Sequence, residues 1–95
     1  MAVYHQSYTV GTTPTLIVDI PAKNPLTQVT VFNDDNNPIF LGDITVATSG
    51  VNKGIPLAKS TVASNAWLNA GDKIYAVAAA ETAAYAVTVF WSSPF

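Results

Sequence analysis

The chain has no cysteine and no arginine, and those two absences remove whole classes of function. Without cysteine there is no disulfide, no thiolate nucleophile and no Cys-ligated metal. Without arginine, Lys23, Lys53, Lys59 and Lys73 are the only permanent side-chain cations, in a chain of net charge −2. Phosphate backbones are bound by clustered Lys and Arg, so nucleic acid is not an expected partner. Charge of either sign is scarce: 11% of residues are Asp, Glu, Lys or Arg, against about 25% in an ordinary globular chain. Such an exterior is weakly protected against association. It predicts a protein whose surface is largely covered by partners.

Long apolar runs are missing as well. The longest without a polar break, Ile74 to Ala80, falls far short of the ~20 residues that span a bilayer. The opening residues MAVYHQSYTV lack the basic and apolar regions of a secretory signal. The expectation is a soluble chain made in the cytoplasm, with no membrane partner.

What is present is β-branched and aromatic sequence, broken at short intervals by turn clusters. That pattern predicts an all-β fold, a small antiparallel β-sandwich or barrel of Ig-like or jelly-roll-like type. Residues 1–95 read as a single domain, large enough to bury about 60–65% of its unfolded surface. A first strand is expected over Val3 to Val10, with Tyr4, Tyr8 and Val10 on one face. "TLIVDI" should alternate Leu16, Val18 and Ile20 against Ile17 and Asp19. In "TQVTVFN", Val29 and Val31 share a side, and "DDNNP" turns that strand back into "IFLGD". One or two short strands follow around Thr61 to Leu68, then a tight turn at "NAGDK".

"AVAAAETAAYAV" would be helical on propensity alone. Both flanks alternate with period two, so a hairpin turning near Glu81 and Thr82 is expected instead. The last strand, "YAVTVFW", should carry Tyr85, Val87, Val89 and Trp91 on one face and Ala86, Thr88 and Phe90 on the other.

Chemistry is thin. His5 is the sole histidine and has no nucleophile or orienting partner nearby in sequence. Asp34 and Asp35, among Asn33, Asn36 and Asn37, lack the ligand spacing of a calcium loop and read as a turn. Asp43 and Asp72, each after a glycine, read as turn caps. No phosphate loop, dinucleotide fingerprint or zinc motif occurs. No catalytic residue, cofactor or metal is expected, and the chain reads as a non-enzyme.

The aromatic residues carry the remaining signal. Phe32, Phe40 and Tyr75 should turn inward on strand periodicity. Phe90 and Trp91, being adjacent, must point to opposite faces. Residues 1–12 and 91–95 read as partner-docking ends, because aromatic residues near a terminus need something to hold them. Tyr4, Tyr8, Trp91, Pro94 and Phe95 are the candidate contact residues.

From "VTVFNDDNNPIFLGDITVATSG" through "GIPLAKSTVASNAWLNAGDKIYAVAAAETAAYAVTVF", about two thirds of the chain, the sequence resembles small structural proteins of tailed bacteriophages. The residues carrying the resemblance are Val29 to Val31, Leu41 to Gly42, Gly54 to Ala58, and Ala70 to Val77. "FWSSPF" runs past the usual end of that pattern, and Met1 to Pro25 have no counterpart in it. The resemblance implies a capsid decoration (cement) or minor head protein on the capsid exterior, partnered by the major capsid protein and by its own copies, a trimer being favoured. The alternative is a phage tail or fibre module binding host-surface glycan through Trp67 and the tyrosines.

Overall fold

The structure is a computed structural model and describes residues 2–22 and 26–93. Those residues form an all-β sandwich of eight strands: β1 (Ala2–Tyr8), β2 (Thr15–Asp19), β3 (Leu26–Asn33), β4 (Ile39–Gly42), β5 (Ile55–Leu57), β6 (Thr61–Asn69), β7 (Lys73–Ala78) and β8 (Val87–Ser93). Two four-stranded sheets, in the orders β1-β8-β3-β6 and β2-β7-β4-β5, pack face to face. Every strand pairing is antiparallel.

The pairings are nested. β1 lies on β8, β2 on β7, β3 on β6 and β4 on β5. The chain is thus one long hairpin, rolled so that β8 also meets β3 and β7 also meets β4. That is a jelly roll, one of the two expected forms. Rolling means that only β4 to β5 connects neighbours within a sheet; every other connection crosses between sheets.

Two sequence expectations therefore change. "DDNNP" is a corner between sheets, not a return within one, while "NAGDK" is the tight turn expected and leads from one sheet to the other. The segment around Glu81 and Thr82 is also a crossover, since β7 and β8 lie in different sheets. Turn residues satisfy their own backbone equally well in a hairpin or a corner, so local chemistry cannot tell the two apart. The crossover is held by the β1–β2 connection: Thr82 N donates to Val10 O at 2.9 Å, Val10 N to Thr82 Oγ1 at 3.0 Å, and Tyr85 N to Thr9 Oγ1 at 3.0 Å. Tyr85 consequently stands outside β8, exposed and at φ 57°.

The core lies between the sheets, formed by Ile17, Val18, Ile39, Val29, Val31, Val87, Val89 and Trp91 with their neighbours. Val29 and Val31 share the inward face as expected. In β2 the register shifts between Leu16 and Val18, and a bulge there breaks the alternation. Ile17 and Val18 are both buried, while Leu16 is exposed. Phe32, Phe40 and Tyr75 are a correction: they alternate with the buried Val31, Ile39 and Ala76 and sit half-buried on the outward faces. Small alanines at 76 and 78 let β7 approach the opposite sheet without an inward ring.

Candidate functional site

Adjacent positions on β8 separate the two terminal aromatic rings. Trp91 is 7% exposed and belongs to the core, its ring stacked on Tyr4 with centroids 5.0 Å apart and planes at 19°. Val87, Val89 and Trp91 take the inward face, so Trp91, expected as a docking residue, is held by its own fold in this single chain. The proposed docking ends overlap structure too, because residues 2–8 and 91–93 pair with each other in the β1–β8 ladder. Pro94 and Phe95 lie outside the described residues.

Three of the candidate contact residues do converge. Tyr4, Tyr8 and Trp91 line one cleft of about 290 Å³ with Leu16, Ile17, Asp19 and Pro21, at the side of the sandwich where β1 and β2 are the sheet edges. The two phenol oxygens are 3.4 Å apart, and Tyr4 also donates to Gln6. Burial first, then the Tyr4 hydroxyl, hold Tyr8 protonated well above the ordinary tyrosine range. Asp19 at the rim is paired with Lys73 at 2.8 Å.

The other side of the β1-β8-β3-β6 sheet is a second feature. None of the residues of β1, β3, β6 and β8 is Asp, Glu, Lys or Arg; among the described residues, every charged one lies in the opposite sheet or between strands. Register sets the outward side chains in rows: Val3, Ser92, Gln28 and Trp67; His5, Phe90 and Thr30; Ser7, Thr88, Phe32 and Val62. Phe90 is 46% exposed, Trp67 55%, Val62 53% and Val3 61%. Ser7 and Thr88 hydrogen-bond across their strands at 2.9 Å, one hydroxyl donating to the other. The opposite sheet differs: its outer face carries the Asp19–Lys73 pair, and Lys53 lies 5.9 Å from the Phe40 ring centre. An uncharged sheet face with exposed rings loses little polar hydration on being covered.

Phe90, Trp67, Val62 and Val3 were not singled out together from sequence. The signal was available: the four charge-free stretches can be read directly. That they form one sheet required the pairing.

The Asn- and Asp-rich corner is structural. Asn33, fully buried, donates from Nδ2 to Asn37 O at 3.0 Å and to Leu57 O at 2.9 Å, and its Oδ1 accepts from Asp35 N at 2.9 Å. Asp35 accepts from Ala83 N at 2.8 Å and Asn37 N at 2.9 Å. Its carboxylate therefore lies below its ordinary pKa, mainly through the Ala83 N–H. Asp43 caps its turn as expected, accepting from Thr45 N and Oγ1 at 2.8 and 2.6 Å, and is lowered likewise. Asp72 accepts from Asn69 N at 2.7 Å beside Gly71 at φ 83°.

A depressed carboxylate stabilises the folded state above its unfolded pKa and loses that contribution as pH falls through the folded value. The unfolding midpoint should therefore hold from neutrality to about pH 4 and fall below it, near the ordinary carboxylate range. Thermal melts against pH measure this, and Asp35→Asn should flatten the acid limb. An unchanged acid limb in that variant would show that Asp35 is not a source of it.

Comparison with protein-family models, with curated proteins and with solved structures finds no match for this chain.

Proposed function

We propose that the chain is a non-catalytic structural protein of a tailed-phage virion, one that decorates the capsid exterior and bridges neighbouring capsid subunits. The charge-free outer face of the β1-β8-β3-β6 sheet carries this reading, together with the phage-protein resemblance of residues 29–90. Docking buries apolar area at roughly 25 cal/mol per Å², from which association costs are subtracted. A single such patch gives modest affinity, and repetition on a lattice multiplies it.

Phe90 sits at the centre of that face, opposite His5 on one neighbour and Thr30 on the other. Phe90→Asp places a charge there without touching the core. Co-sedimentation with purified capsid shells should show at least a tenfold loss of affinity, about 1.4 kcal/mol, with little change in melting temperature. Wild-type occupancy by this variant would remove the face from the docking surface.

The Tyr4–Tyr8 cleft favours a second reading, a tail or fibre module that binds glycan, since phenol hydroxyls and the Asp19 carboxylate suit sugar hydroxyls. A glycan array with the isolated chain separates the two.

A further inference from the structure

The two sheets treat their edges differently. Exposed edge strands are ordinarily blunted by shortness, proline, charge or bulges. In the β2-β7-β4-β5 sheet, β5 has three residues with Pro56 at its centre, and β2 carries Asp19 and a bulge. The β1-β8-β3-β6 sheet ends in β1, of seven residues, and β6, of nine, with neither proline nor charge in either. β1 keeps an unbroken register with β8, while β6 bends at one bulge opposite Thr30.

β1 and β6 also run in opposite directions, because three antiparallel pairings separate them. A second copy set edgewise with its strands pointing the same way, and turned about that direction, therefore continues the antiparallel ladder, β6 of one chain beside β1 of the next. The outward row Val3, Ser92, Gln28, Trp67 has an exposed apolar side chain at each end. In-register continuation brings Trp67 of one copy against Val3 of its neighbour. No like charges meet along either strand.

We propose that this chain associates with its own copies head to tail through β6 and β1, closing into a ring. A two-fold pairing of β1 with β1 would leave β6 bare; head-to-tail closure covers both unguarded edges at once. It also sets the charge-free faces side by side. The proposal shares with capsid docking only that sheet, and it is tested without any particle, so either can fail alone.

The test uses two single variants of the full chain, Val3→Lys and Trp67→Lys. Both positions are exposed, and thermal melts confirm folding. Light scattering should give the wild type a fixed multiple of the 10.0 kDa chain mass that does not grow with concentration. Each variant alone should be monomeric. Mixed, they should form a one-to-one complex of two chains, because intact β6 of the first variant meets intact β1 of the second. A monomeric wild type, a mass that climbs with concentration, a variant that keeps the wild-type mass, or a mixture that forms no complex would each overturn it.

Discussion

Trp91→Ala is expected to destabilise the protein by about 3–5 kcal/mol, the usual cost of deleting a buried large aromatic ring. For a chain of this size that lowers the melting temperature by on the order of 20 °C. The ring closes the core beside Val89, and Tyr4 stacks against it from β1. Its removal opens a cavity and frees Tyr4 at the mouth of the cleft. The loss is large against a total stability of roughly 5–15 kcal/mol. The adjacent Phe90→Ala should cost less than about 1 kcal/mol, since a half-exposed ring forfeits only part of its burial. Thermal or denaturant unfolding of the pair is a direct comparison. Similar losses from both would mean that the two faces of β8 are not as different as the structure has them.

Asn33→Ala should cost about 3 kcal/mol or more, although it deletes only a small polar side chain. Asn33 lies on β3 and reaches Leu57 O on β5, so its amide ties one sheet to the other. Alanine leaves Leu57 O, Asn37 O and Asp35 N without that partner, at about 1–3 kcal/mol for each group buried unsatisfied. Asn33→Asp is the sharper test. It is nearly isosteric, but a carboxylate oxygen would face two carbonyl oxygens that now receive N–H bonds. That variant should be at least as unstable as the alanine one at neutral pH. It should recover in part on acidification, when a protonated oxygen can donate once. Chemical denaturation at two pH values measures this, and an Asn33→Asp protein as stable as wild type would refute the bonding assigned to Asn33.

The rolled topology has a kinetic side. The β1–β8 ladder joins Ala2 to Ser93, so the outermost pairing closes nearly the whole chain. Folds dominated by such non-local contacts fold in milliseconds to seconds. They also expose strand edges meanwhile, which is relevant to a sheet whose edges carry no charge.

Strand identity and face sharing were legible locally. Val29 with Val31, and Val87 with Val89 and Trp91, follow from a period of two, which depends only on the backbone of each strand. The caps at Asp43 and Asp72 were equally local, each bonding within three residues. The cleft was legible in part. Tyr4, Tyr8 and Trp91 were named for their aromatic character; Trp91 was grouped with Val87 and Val89, but which face of β8 looks inward was not legible.

Composition alone determined that four stretches of this chain carry no charge, and alternation alone determined that Phe90 and Trp91 must diverge. The three-dimensional pairing decided the rest: that those four stretches form one sheet, that Trp91 is the inward ring, and that two supposed returns are corners. The reason is physical. Alternation divides a strand into two faces without saying which is inside, and a turn bonds its own backbone alike wherever it leads. Only burial against the opposite sheet, contributed by residues distant along the chain, separates those alternatives.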